Sequence, residues 1–152
     1  SLVQSSDFIV AHNAEFDKKW FGFNKLPQIE KEWICSMDDI TWPADRQLKT
    51  RPSVRDLALA YGVPVWNAHR ALTDCIYLAE VFKRCSEIEK LLIRALEPKV
   101  LLRAEISYEE RYLAKNAGFR WNDQIKGAWS RKMSRRDMKK LEFPVHEIDF
   151  HA

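Results

Sequence analysis

The sequence predicts an α/β protein that begins with a parallel sheet and ends in a small α+β module. Residues 8–11 form a short apolar run between polar residues, which is typical of a buried parallel strand, and a second strand is expected at residues 32–36. Segments with helix start and stop signals separate and follow these runs. Strands that alternate with helices favour a parallel sheet with helices packed on it.

Three helices are expected in the first part of the chain. Asn13 can cap a helix that runs to about residue 21, where Gly22 ends it. Ser53, with Asp56 three residues later, begins a second helix that ends at Gly62. The longest helical stretch is expected over residues 68–96.

The rest of the chain has a different pattern, and Pro98 is the expected boundary between a domain at residues 1–98 and a module at residues 99–152. The signals in the module predict the order β-α-β-β-α-β. They are a strand at 100–106, a helix begun by Ser107 and Glu110 and ending at Asn116, a hairpin of 119–121 with 128–131, a helix capped by Ser134, and a strand at 143–148.

The composition is that of an ordinary water-soluble globular protein. Of the 152 residues, 46% are hydrophobic and 31% charged, and no apolar run reaches the roughly 18 residues that a membrane-spanning helix requires. The sequence shows no signal peptide. Its three cysteines, Cys35, Cys75 and Cys85, have no Cys-x-x-Cys spacing, so we expect reduced, mostly buried thiols, with Cys75 facing the core. A cytoplasmic protein that does not associate with membranes is expected.

Two acidic positions could take part in chemistry. Asp17 lies one helical turn after the first strand, at the edge of the sheet where α/β folds bind ligands. A carboxylate there could equally serve only to stabilise the helix start. Asp74 follows His69 by five residues, and the two can converge only if His69 lies before the helix or in its first turn. A histidine at such a position is more often a surface or capping residue.

Taken together, these motifs are more specific. Asn13-Ala14-Glu15-Phe16-Asp17, the segment Ser53 to Ala58, and His69 followed by Asp74 resemble the DnaQ-like 3′–5′ exonucleases of the DEDDh class, here of a bacterial type. The resemblance also takes in Ile34 to Asp38, and so covers most of residues 7–85. It implies an RNase H-like fold and a site in which four carboxylates bind two Mg²⁺ or Mn²⁺ ions.

The resemblance gives each matching residue a role. Asp17 and Asp74 would be metal-binding carboxylates, and His69 would be the general base that takes a proton from the attacking water. Asn13 is expected to cap the helix and to lie in the substrate region, and Phe16 to pack beneath the site. The substrate would be the 3′ end of a single-stranded nucleic acid, DNA or RNA.

One motif of the family has no counterpart in this chain. The Asp-x-Glu that supplies the other two carboxylates precedes the first matching strand in the family, and nothing here matches it. We therefore expect an N-terminally truncated sheet, with little hydrolysis by this chain alone. The exposed edge of residues 8–11 would pair with the missing N-terminal segment or with a second copy, and another chain could supply the carboxylates.

The C-terminal module carries the basic charge. The formal net charge of +3 divides into −1 for residues 1–98 and +4 for residues 99–152. Cations interleaved with aromatic residues on a hairpin are typical of single-stranded nucleic-acid surfaces. The residues expected to bind are Arg120, Trp121, Lys126, Arg131 and Arg135. Alternatively, Trp121 and Trp129 are core residues of the module and its cations form a solvated face.

The expected activity is metal-dependent 3′–5′ exonuclease hydrolysis by the intact protein. The alternative is a non-catalytic nucleic-acid-binding or scaffold protein that keeps the fold without a complete site.

Overall fold

The computed structural model describes residues 1–67 and 70–149, which form two compact units, Ser1–Leu96 and Glu97–Ala152. The predicted boundary at Pro98 lies one residue after the start of the second unit. Both units combine helices and strands, so the chain is mixed α and β. His69 lies outside the described residues.

Over residues 1–67 and 70–96, the first unit contains a two-stranded parallel sheet and five short to medium helices. Parallel pairing of the two predicted strands is confirmed, with Phe8 opposite Glu32 and Ala11 opposite Cys35. The elements are α1 (Leu2–Ser5), β1 (Phe8–Ala11), α2 (Ala14–Lys18), β2 (Glu32–Cys35), a 3₁₀ turn (Ala44–Arg46), α3 (Val54–Ala60), α4 (Ala71–Arg84) and α5 (Ile88–Ala95).

The apolar faces of α3 and α4 form the main core of this unit. Leu57, Tyr77 and Val81 are fully buried there. The predicted capping box of α3 is confirmed, because the Ser53 hydroxyl accepts from the Asp56 N–H and the Asp56 carboxylate accepts from the Ser53 N–H. A smaller cluster joins Ile34 of β2 to Ala95 of α5, so the last helix of the unit packs on its sheet.

Several local predictions for this unit were wrong. The single helix predicted over residues 68–96 is two helices, because Cys85 adopts an extended backbone (φ −84°, ψ 103°) that no helix can contain. Asn13 occupies the N-cap position of α2 but is left-handed (φ 64°), and its side chain makes no capping bond. The helix ends at Lys18, short of the predicted residue 21.

The second unit has the predicted order β-α-β-β-α-β. Its helix α6 begins at Arg111, one turn later than predicted, because the Ser107 hydroxyl accepts from the Glu110 N–H in a turn before the helix. The elements are β3 (Lys99–Ala104), α6 (Arg111–Asn116), β4 (Arg120–Trp121), β5 (Trp129–Ser134), α7 (Arg135–Met138) and β6 (Val145–Ile148).

The four strands of this unit form one antiparallel sheet in the order β4-β5-β3-β6. This is the arrangement of the split βαβ, or ferredoxin-like, topology. Leu102 of β3 and Met133 of β5 point to the same side, where they are buried with Ala114 of α6 and packed by Met138 of α7. Both helices therefore cover the same face of the sheet.

Candidate functional site

The carboxyl ends of β1 and β2 are joined side by side. His12 directly follows β1, and its Nδ1 lies 3.0 Å from the Oγ of Ser36, which directly follows β2. The Ser36 hydroxyl is also 3.4 Å from the Ala11 carbonyl, and the Ala14 N–H donates to the Cys35 Sγ at 3.4 Å. These contacts fix the loop between β1 and α2, and with it the start of the helix that carries Asp17.

A half-buried ion pair lies after the end of β2. The Arg51 Nε is 2.6 Å from an Asp38 carboxylate oxygen. The neighbouring carboxylate, Asp39, accepts a hydrogen bond from the Cys35 N–H at the end of β2, at 2.7 Å. Arg51 precedes the capping box of α3, so the ion pair joins that helix start to the edge of the sheet. Sequence reasoning did not find Arg51, since an arginine two residues before a capping serine carries no local signal.

His12 lies among carboxylates from three parts of the unit. Burial of the ring lowers the pKa of His12 below 6.5, and this effect outweighs the opposing ones. The nearby Pro52 backbone and the negative charges of Asp38, Asp74 and Asp56 act to raise it. Asp74 therefore acts electrostatically on the residue that precedes Asn13, although the two are sixty positions apart in the sequence.

The two predicted metal-binding carboxylates are both half-buried. Partial burial raises the pKa of Asp17, because desolvation disfavours its charged form. Asp74 lies in the first turn of α4. Within the described part of the chain, no group of three or more His, Cys, Asp or Glu residues could hold a metal ion. Asp17 and Asp74 supply the hard oxygen donors that Mg²⁺ and Mn²⁺ prefer, but two carboxylates are an incomplete ligand set.

The segment before α4 is held by a buried tyrosine. The Tyr77 hydroxyl accepts from the backbone N–H groups of Trp66 and Asn67, at 3.0 and 3.1 Å. The Trp66 ring packs edge-on against Tyr77 and remains largely exposed. Tyr77 thus anchors the chain two residues before His69. The sequence did not predict this role, because a tyrosine within a helix gives no local sign of a backbone contact ten positions away.

Two other predictions about this region were wrong. Phe16 is 58% exposed and does not pack beneath the site; its ring meets that of Trp20 edge-on, at 6.2 Å between ring centroids. Cys75 is exposed, whereas Cys35 and Cys85 are buried. Cys75 and Tyr77 are two residues apart, which turns their side chains by about 200° on a helix, so Cys75 lies away from the buried face that holds Tyr77.

The residues predicted to bind nucleic acid do not share one surface of the second unit. Arg120 and Trp121 are neighbours on a strand and so point to opposite faces of the sheet. Lys126 is exposed in the hairpin turn, whereas the half-buried Arg131 donates to the Ala117 carbonyl at the end of α6. Arg135 pairs with Glu147 at 2.7 Å.

Comparison with known proteins is informative only for this second unit. Residues 100–148 match the model of a domain of unknown function, DUF8626. That match covers about a third of the chain. No curated protein and no solved structure matches the chain. No helix in residues 1–67 or 70–149 is long and apolar enough to cross a membrane.

Proposed function

We propose that this chain is part of a metal-dependent 3′–5′ exonuclease that hydrolyses terminal nucleotides from single-stranded DNA, or from RNA. The proposal depends on one observation above all. The charge of Asp74 acts on His12, which lies at the end of β1 immediately before the Asn13 to Asp17 motif. This electrostatic effect supports a common location for the two motifs near the carboxyl edge of the parallel sheet, where α/β enzymes place their chemistry.

Asp17 and Asp74 would hold Mg²⁺ or Mn²⁺ in this proposal. A bound divalent cation would activate water and stabilise the oxygen that leaves the terminal phosphodiester. His69 would accept a proton from the attacking water, since an imidazole can exchange protons near neutral pH. Asn13, left-handed at the start of α2, would contact the substrate.

The proposed site needs two more carboxylates, from an Asp-x-Glu segment joined to this chain or from another chain. Two features support a docking site for an added strand. Within residues 1–67 and 70–149, β1 pairs only with β2, and an isolated two-stranded sheet is marginally stable. Leu72 and Ile76, one turn apart on α4, expose 76% and 46% of their surface.

Two measurements test the proposal. The gene upstream of Ser1 should encode an Asp-x-Glu after an apolar strand. The extended protein should then release nucleotides from a 3′-labelled single strand only with Mg²⁺ or Mn²⁺ present. Asp17→Asn, Asp74→Asn and His69→Ala should each reduce the rate at least a hundredfold. Asp123→Asn, an equal change of charge in the exposed hairpin turn, should leave it unchanged. Undiminished hydrolysis by Asp74→Asn would refute the assignment.

A non-catalytic nucleic-acid-binding or scaffold protein is the second candidate. The absence of a three-ligand cluster among the described residues favours it. In that case the extended protein would bind single strands equally well with and without divalent cations, and would leave them intact. Binding and hydrolysis measured on the same labelled strand therefore separate the two candidates.

A further inference from the structure

Trp66 is the most exposed aromatic residue in the described part of the first unit, with 71% of its surface accessible to water. Tryptophan side chains are usually buried to a large extent, because the indole ring carries a large apolar surface. The preceding residue, Val65, does pack on the core that α3 and α4 share. The chain therefore turns the smaller side chain inward and leaves the larger ring in water, so core packing does not explain the tryptophan.

The exposed ring is nevertheless held in place by one buried residue. The Tyr77 hydroxyl accepts hydrogen bonds from the backbone N–H groups of Trp66 and Asn67, at 3.0 and 3.1 Å. The Trp66 and Tyr77 rings meet edge-on, with centroids 5.2 Å apart and planes at 81°. Tyr77 is fully buried in the core and is therefore fixed itself. Because the backbone and ring of Trp66 are already ordered, little conformational entropy remains to be lost when a ligand binds the ring.

The Trp66 ring is linked to the proposed reaction site through α4. Asp74 and Tyr77 are three residues apart on this helix, so their side chains leave it only about 60° apart and on the same side. The tyrosine that holds Trp66 is thus the neighbour, one turn along, of a proposed metal-binding carboxylate. Arg70, exposed at the N-cap position of the same helix, places a cation there that can contact a phosphate.

We propose that the Trp66 ring stacks on an unpaired nucleobase near the 3′ end of a single strand. The inference rests on the proposed function for its ligand, the single-stranded 3′ end. Every base has a π-face, so one fixed and open ring can hold any of them without selecting a sequence. A paired base is excluded from this contact until it leaves its own stack, which costs free energy. Trp66 therefore favours unpaired ends over paired ones.

A nucleobase fits the surroundings of Trp66 better than a protein partner does. Protein interfaces centre on aromatic anchors that lie within a larger apolar patch. The exposed residues that follow Trp66 in the described chain, Asn67 and Arg70, are polar. An isolated ring with an amide and a cation close by in the chain has the groups that a nucleotide offers contacts for, which are a base and a phosphate.

The test measures binding of the whole 152-residue chain to a labelled single-stranded oligonucleotide by fluorescence anisotropy, in EDTA so that no divalent cation is present. Trp66→Ala should bind about tenfold more weakly, since stacking of one base on an aromatic side chain contributes a factor of this order. Trp66→Phe keeps an aromatic ring and should remain within about threefold of the wild type. Tyr112→Ala is the matched control, because it removes a largely exposed ring from the second unit, and it should lose less than about twofold.

A second series identifies the contact that is lost. One nucleotide at a time near the 3′ end is replaced by an abasic nucleotide. At the position whose base stacks on Trp66, this replacement should weaken binding by the wild type about tenfold, and Trp66→Ala should then bind the strand as well as the wild type does. Tyr77→Phe keeps the buried ring but removes the hydroxyl that holds Trp66. It should weaken binding by the wild type and cause no further loss in Trp66→Ala, because Tyr77 acts through Trp66.

Several outcomes would overturn the inference. An unchanged affinity of Trp66→Ala, or a loss that is equal on every abasic strand, would show that the ring does not stack on a base. A tighter complex with the corresponding blunt duplex, or no binding of single strands by the wild type, would also refute it. Failure of the proposed function has a different signature: the extended protein would leave the strand intact in Mg²⁺, while this chain would still bind it through Trp66.

Discussion

His12 and Ser36 join the carboxyl ends of the two parallel strands, with the imidazole Nδ1 3.0 Å from the hydroxyl oxygen. Ser36 is fully buried, and His12 is half-buried. The contact lies one residue before Asn13 and within the electrostatic reach of Asp74. It therefore holds the loop on which the proposed catalytic geometry depends.

Replacing Ser36 with alanine should destabilise the first unit. The change leaves the Nδ1 of the half-buried His12 without its partner, and a polar group left unsatisfied inside a protein costs about 1–3 kcal/mol. Urea unfolding followed by tryptophan fluorescence measures the loss. Ser86→Ala, at an exposed position between α4 and α5, is the matched control and should change stability by less than about 0.5 kcal/mol. Equal stability of the two variants would show that the contact contributes nothing.

The stability of the first unit should fall in mild acid because of His12. The pKa of His12 is below 6.5 in the folded protein, whereas the unfolded chain keeps the ordinary value of 6.5. At a pH between these two pKa values the unfolded chain binds more protons than the folded one. The contribution of His12 to stability is therefore constant above pH 6.5 and decreases as the pH falls below it. His12→Asn should remove this contribution. Urea midpoints measured about one pH unit above and below 6.5 should differ more for the wild type than for the variant.

Arg131 should matter for stability and not for nucleic-acid binding. Its guanidinium donates to the Ala117 carbonyl at the end of α6, where a cation also meets the negative end of the helix. Arg131→Ala should cost about 1.5–3 kcal/mol, the range for a hydrogen bond from a charged group. Arg136→Ala, which removes an exposed pair, should cost less than about 0.5 kcal/mol. A twofold or greater loss of single-strand affinity in folded Arg131→Ala would contradict this role.

The sequence predicted the strands and the order of elements well, because these depend on local signals. The short apolar run Phe8 to Ala11 predicts a strand from its own residue types, and the Ser53 and Asp56 pair closes a capping box within one turn. The two-residue strand β4 was found through the aromatic residues and turn residues around it. Signals of this kind involve residues that are close in the chain, so no tertiary contact has to be known.

What the sequence did not predict depends on contacts between distant residues. The ion pair of Arg51 with Asp38 spans thirteen positions, and the charge of Asp74 acts on His12 across more than sixty. The break between α4 and α5 follows from the backbone of Cys85, whose thiol contacts the Tyr61 hydroxyl at 3.4 Å. A continuous apolar pattern from 68 to 96 cannot show this, because both helices use the same periodicity.

One thiol of the three should react in the native protein. Cys75 is exposed on α4, whereas Cys35 and Cys85 are buried, and burial raises the pKa of Cys35 and so disfavours its reactive thiolate. A maleimide reagent near neutral pH should modify one cysteine per chain before unfolding and three in denaturant, as counted by intact mass. Cys75→Ser should abolish the native reaction and leave two reactive thiols after unfolding. Native labelling that persists in Cys75→Ser would mean that a segment covering Cys35 or Cys85 opens readily, since only opening can expose those sulfurs.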